Sequence, residues 1–174
     1  MSSGNRLAPI THAFVAALCC VLTCSPEISA AASKAVGPAE PVCVVRPHVS
    51  LRKGPGKDFG VSWAVPKYMP LLKVDKKGGW FKVQDLEGET HWVSAANVSR
   101  KTACAVVKTK TAKLRQGPGT EHPLAELSSV DRYTPFRKID RDGEWIQVKD
   151  DFNALYWVHE TNVWMPVVRS KLSF

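Results

Sequence analysis

From about residue 44 onward, short apolar runs alternate with clusters of Gly, Pro, Asp and Asn, and no stretch sustains the spacing of an amphipathic helix. Within the runs the period is two. In Trp80-Phe81-Lys82-Val83, Phe81 and Val83 fall on one face and Trp80 and Lys82 on the other, as a pleated strand requires. The pattern predicts strands from Val44 to Leu51, Pro70 to Val74, Trp80 to Gln84 and Thr90 to Val93. Gly54-Pro55-Gly56 opens a loop, because Gly permits positive φ and Pro restricts its neighbour. Asp75-Lys76-Lys77-Gly78-Gly79 and Leu86-Glu87-Gly88 read as turns.

The same order recurs 63 to 65 residues later. Leu51-Arg52-Lys53-Gly54-Pro55-Gly56 matches Leu114-Arg115-Gln116-Gly117-Pro118-Gly119. Pro70 and Lys73 match Pro135 and Lys138, Gly78 matches Gly143, and Trp80-Phe81-Lys82-Val83 matches Trp145-Ile146-Gln147-Val148. Trp92-Val93 and Asn97-Val98 align with Trp157-Val158 and Asn162-Val163. In the second copy Asp140-Arg141-Asp142-Gly143 is the turn, and Ile146 and Val148 face inward. A lone two-stranded ribbon of this length is marginal, so five short strands per unit predict a small closed barrel. The expected class is all-β, with two tandem barrels over 44–100 and 104–166, each near the lower size at which a domain folds alone. Residues 33–43 read as a linker and 167–174 as a tail.

Residues 1–32 have the parts of an export signal. Arg6 supplies the positive region, Ala13 to Cys24 is uncharged and mostly apolar, and Ala30-Ala31-Ala32 offers small residues for cleavage. The apolar run is too short for a bilayer span, which needs about 20 residues, and no later segment qualifies. The mature chain is therefore expected to be periplasmic or secreted, without a transmembrane segment. A buried helix opening a cytosolic domain is one alternative. A lipoprotein signal acylated on Cys24 is another, against which Thr23 counts. Cys19, Cys20 and Cys24 would leave with the signal, and the remaining pair, Cys43 and Cys104, reads as a disulfide in an oxidising compartment. Two free thiols packed as small hydrophobes are the other reading.

A strand ending Leu-Arg-x-Gly-Pro-Gly, then a hydrophobic strand, Gly-x-Trp-x-x-Val, and Trp-Val after a further turn, resembles the bacterial SH3 domain, SH3b. Both copies carry it, from about Val44 to Val98 and Val106 to Trp164. The copies depart at Glu89-Thr90-His91-Trp92 and Asn153-Ala154-Leu155-Tyr156-Trp157, where the family usually has Gly before Trp-Val. The resemblance implies SH3-like barrels acting as an exported accessory module that binds cell-wall peptides or peptidoglycan, commonly beside a hydrolase domain. The repeats leave no room for a hydrolase domain within these residues.

The motifs point away from catalysis and from any metal or cofactor. His48, His91, His122 and His159 have no metal-ligand spacing with one another or with Cys, and there is no His-Glu-x-x-His or Cys-x-x-Cys. Gly54-Pro55-Gly56 is followed by neither Lys-Ser/Thr nor a helix, so it is not a phosphate loop. Asp140, Asp142, Asp150 and Asp151 read as solvated turn residues. Binding is the expectation that remains.

The chain carries 24 Lys+Arg against 16 Asp+Glu, a net charge of +8, which attracts anionic polymers. An exported location sets nucleic acid aside as a partner. Arg52, Lys53, Lys57, Lys67, Lys76 and Lys77 make the first unit's loops basic, and Lys108, Lys110, Lys113 and Arg115 do so in the second. A basic surface that is merely solvated is the alternative. Flat rings stack on sugars or prolines at low entropic cost. The expected ligand contacts are thus Arg52, Lys53, Trp63, Tyr68 and His91 in the first unit, with Arg115, Tyr133 and Tyr156 in the second. Packing is an equal reading for Tyr68 and Tyr133. The recurring Trp80, Trp92, Trp145 and Trp157 suit barrel packing. The expected partner is a cell-wall glycan or peptide, with an envelope protein held in an SH3-like groove as the alternative.

Overall fold

The computed structural model describes residues 39–167, so the export signal expected over 1–32 and nearly all of the tail lie outside the described residues. The first repeat comprises β1 (Glu40–Val44), β2 (Val49–Arg52), β3 (Val61–Val65), β4 (Pro70–Lys77), β5 (Trp80–Gln84), β6 (Thr90–Ser94) and β7 (Val98–Ser99). The second comprises β8 (Cys104–Val107), β9 (Thr111–Arg115), β10 (Leu124–Asp131), β11 (Pro135–Asp142), β12 (Trp145–Lys149), β13 (Leu155–His159) and β14 (Val163–Trp164). A single 3-10 turn precedes β7 and another precedes β14. Among the described residues no helix is long and apolar enough to cross a membrane.

The strands form two antiparallel sheets of identical topology, in the orders β3-β2-β6-β5-β4-β1-β7 and β10-β9-β13-β12-β11-β8-β14. Each sheet wraps its own core. Val44, Leu51, Val65, Leu71, Val83 and Val93 fill the first, and Val107, Leu114, Phe136, Ile146, Val148 and Val158 the second. Ile146 and Val148 face inward as the alternation requires.

Several expectations are corrected. The predicted five-stranded closed barrel is a seven-stranded sheet left open, because the edge strands β3 and β7 share no ladder, nor do β10 and β14. The single strand predicted from Val44 to Leu51 breaks at 45–48, where Pro47 has no N–H to give a ladder and His48 takes a φ of 52°. The expected linker 33–43 contributes Glu40 to Cys43 to β1, where Val42, Cys43 and Val44 are buried in succession and so show no period of two. β3 went unpredicted because its burial pattern leaves Val61, Ser62 and Ala64 exposed at a sheet edge. The turn expected over 75–79 is confined to Gly78-Gly79, with Gly78 at a φ of 57° and its counterpart Gly143 at 55°.

Cys43 and Cys104 are bonded across the repeats, with 5.7 Å between their Cα atoms. The 61-residue separation corresponds to about 4 kcal/mol in the chain-entropy model. The repeats also share apolar packing. Val106 of β8 belongs to the first repeat's core, and Trp164 of β14 packs against it.

Candidate functional site

The Gly-Pro-Gly motif builds the same device twice. After β2 the chain runs out through residues 53–60, and Arg52 Nη1 donates to the Phe59 carbonyl at 2.7 Å. After β9, Arg115 Nη1 donates to the His122 carbonyl at 2.6 Å. The glycine is required because the loop's ring lies on it. A Cβ at Gly54 would sit 2.2 Å from the Phe59 ring, and one at Gly117 would sit 2.5 Å from the His122 ring. Both arginines are therefore partly committed to holding their loops.

The half-buried remainder of each guanidinium borders a cleft. In the first repeat a cleft of about 420 Å³ is lined by Arg46, His48, Arg52, Lys57, Trp80 and Asn97, among others. In the second, a cleft of about 350 Å³ is lined by Lys113, Arg115, Thr120, Trp145, His159 and Asn162, among others. Arg52, Trp80 and Asn97 stand at the same positions as Arg115, Trp145 and Asn162, so the cleft is a property of the repeat. No carboxylate lines either one. A cationic cleft walled by an indole can take an anionic group and stack a flat or sugar-like face beside it. The sequence pattern suits Trp80 and Trp145 to barrel packing, whereas the structure places them in the cleft walls. Their recurrence beside Arg and Asn at fixed spacing was the available signal, but a strand pattern alone does not say which face of a twisted sheet opens to a cleft.

A second cluster lies where the repeats meet. Trp63 approaches His91 with ring centroids 6.4 Å apart, and the Tyr133 ring of the other repeat edge-on at 5.9 Å. His91 is fixed from both sides, with Ser62 Oγ 2.8 Å from Nδ1 and Asp85 Oδ2 3.2 Å from Nε2. Asp85 is itself locked in the β5–β6 hairpin, its Oδ1 accepting from the backbone N–H of Glu87 and of Glu89, both at 2.9 Å. Asp150 repeats this cap, accepting from Phe152 and Ala154 at 2.9 and 2.8 Å, and from the Tyr156 hydroxyl on its other oxygen at 3.3 Å. The cap is common to both repeats, whereas Tyr156 stands opposite Val148 where His91 stands opposite Val83, so the Ser62, His91 and Asp85 chain belongs to the first alone. Burial lifts the Tyr156 phenol above its ordinary value, and the charges of Asp150 and Glu126 add to the shift.

Of the expected contact residues, Arg52 and Arg115 border the twin clefts. Trp63, His91 and Tyr133 gather at the seam between the repeats. Lys53 is exposed on its loop, apart from both groups. Tyr156 is half-buried with its ring 6.4 Å from that of Phe136. For Tyr68 the structure matches the packing reading, since it is 8% exposed and clusters with Cys43 and Cys104.

The profile of the bacterial SH3 domain family matches residues 45–100 and 108–165. Among curated proteins, YrvJ of Bacillus subtilis (strain 168), whose name provisionally describes an N-acetylmuramoyl-L-alanine amidase, is 24% identical over 162 residues, covering 83% of this chain. The chain spans 29% of that relative's length. Among solved structures, NlpC2 from Trichomonas vaginalis aligns at a TM-score of 0.33 and 11% identity, over 72% of this chain and 48% of its own. The structure titled endolysin LysPBC5 CBD aligns at a TM-score of 0.31 and 16% identity, over 76% of this chain and 97% of its own.

Proposed function

The chain belongs to the bacterial SH3 domain family, and we propose from that premise that it is an exported, non-catalytic module that binds cell-wall peptidoglycan or another anionic envelope polymer through its twin clefts. The observation that carries this reading is the duplication of one cationic, indole-walled cleft, with Arg52, Trp80 and Asn97 answered by Arg115, Trp145 and Asn162. A polymer repeats its chemistry along its length. Two similar weak sites held by one disulfide-bonded body would gain avidity on such a ligand without any new contact.

Three further features support the reading. The net charge of +8 favours an anionic partner. The disulfide fits an oxidising compartment outside the cytoplasm, and it takes up both cysteines of the described residues. The name of the Bacillus subtilis relative specifies an N-acetylmuramoyl group joined to L-alanine, and a sugar face beside an acidic group is chemistry that such a cleft could take.

The test is co-sedimentation with purified peptidoglycan sacculi across a salt series. Because Arg52 and Arg115 also hold their loops, the informative variants are Arg46→Ser/Lys57→Ser/Lys113→Ser, which alters charge on exposed positions, and Trp80→Leu/Trp145→Leu, which removes the stacking walls. Retention that survives about 0.5 M salt and falls at least tenfold in the tryptophan variant is expected. Retention that disappears at modest salt would reduce the interaction to bulk charge, and no retention would overturn the polymer reading.

A further inference from the structure

The seam between the repeats has an approximate two-fold relation, with one side filled and the other open. Lys67 and Arg132 occupy equivalent positions, each preceding a tyrosine at a φ of 68°. Lys67 Nζ reaches Asp151 in the β12–β13 hairpin at 2.7 Å, and Arg132 Nη2 reaches Glu87 in the β5–β6 hairpin at 2.6 Å. Each repeat thus presents a basic residue to an acidic residue in the other's hairpin.

The aromatic positions break the symmetry. On the Arg132 side, the Tyr133 hydroxyl donates to Glu87 Oε1 at 2.8 Å and its ring meets Trp63. On the Lys67 side, Tyr68 is withdrawn against the disulfide, and where Trp63 pairs with Leu51 the second repeat has an irregular stretch between Leu124 and Ser129. A cavity of about 280 Å³ is left there, bounded by Pro66, Lys67, Leu127, Phe136, Asp151 and Phe152, among others. Its rim is apolar and open to solvent, with Phe152 91% exposed and Leu127 44% exposed. Asp150 also lines it, and Lys67, already paired, is its one basic lining residue. On a chain of net charge +8 this is an apolar face with an acidic balance, opposite in character to the twin clefts.

We propose that this open side of the seam is a docking pocket for a protein segment in which an aromatic side chain follows a basic one. The molecule supplies the pattern for such an occupant. Arg132-Tyr133 seats on the filled side with its cation on a carboxylate and its ring on an indole, and the open side keeps an apolar wall and the exposed carboxylate of Asp151, whose Oδ1 takes Lys67, while lacking the ring. The site is separate from the clefts and does not depend on what they bind.

The test is a titration of the isotope-labelled full chain, followed by amide NMR shifts, with two peptide probes: acetyl-Gly-Arg-Tyr-Gly-amide and acetyl-Gly-Glu-Tyr-Gly-amide. Saturable shifts confined to the amides around Leu127, Phe136 and Phe152 are expected with the arginine probe, with at least fivefold weaker binding of the glutamate probe. Leu127→Trp should abolish them by filling the cavity from a residue of its own wall, and Phe152→Ser, at an exposed site, gives an independent check. Absence of saturation, equal binding of the two probes, shifts at the clefts instead, or shifts unchanged in both variants would each overturn the proposal. Sacculus retention by the Leu127→Trp protein separates this result from that of the polymer reading.

Discussion

Tyr68 and Tyr133 share a position in the repeat, a φ of 68° and a backbone hydrogen bond, donated to Val44 at 2.8 Å and to Val107 at 2.9 Å. Yet Tyr68 is buried against the disulfide while Tyr133 is 39% exposed and reaches across to Glu87. The backbone of a duplicated unit is set by local turn chemistry, which both copies retain. The fate of a side chain on that backbone is set by its neighbours, and the neighbours differ because each repeat meets the other from a different side. The same contrast separates His91, fixed between Ser62 and Asp85, from Tyr156, which keeps only the bond to the equivalent Asp150.

Four perturbations sharpen this contrast. The largest is removal of the link itself. Cys43→Ala/Cys104→Ala should lower unfolding free energy by about 4 kcal/mol in urea denaturation, with no effect of reductant on the variant and a matching effect on the parent. Tyr68 and Tyr133 should then become more alike in solvent exposure, read by tyrosine absorbance.

The hairpin caps come next. Asp85→Ala leaves two backbone N–H groups without their acceptor and frees His91, for a loss of about 2 kcal/mol in thermal denaturation. Asp150→Ala in the more open second hairpin should cost about half of that by the same reasoning. Equal losses would show that burial does not distinguish the two caps.

Gly54→Ala would force the Phe59 ring off the loop, at a cost of about 1 kcal/mol. Phe59→Ala in the same chain should recover most of the loss. Gly56→Ala, whose Cβ would meet that ring at 3.2 Å, should be milder.

The smallest effect is on pH. The Arg132 and Tyr133 hydrogen bonds hold the Glu87 carboxyl below its ordinary value of 4.5. A lowered pKa means the docked state favours the ionised form, so the contact's contribution is complete above about pH 4.5 and fades as pH falls through the lower folded value. Acid melting curves should show the parent losing more stability than Glu87→Gln over that interval. Parallel curves would remove Glu87 from the seam's pH response.

Much of the fold was legible in the chain because its causes are local. Period-two alternation placed β5, β12 and their inward faces, and Gly78 and Gly143 marked the tight turns by the positive φ they adopt. The repeated Arg and Gly-Pro-Gly pointed at the loop that Arg52 and Arg115 hold. An edge strand such as β3 carries little apolar alternation, and β1 buries Val42, Cys43 and Val44 in succession, so neither shows the period of two. Trp80 and Trp145 went to packing because spacing cannot show which face of a twisted sheet is covered.

The amino-acid sequence by itself determined the all-β class, the duplication, the basic balance and the two cysteines available to pair, since each follows from residue order and composition. The tertiary structure decided that the sheets stay open, that Tyr68 is core while Tyr133 is seam, and that Arg, Trp and Asn converge on a cleft in each repeat. Those outcomes depend on sheet register and on contacts such as Tyr133 with Glu87 and Lys67 with Asp151, 46 and 84 positions apart, which the docking of one repeat on the other selects.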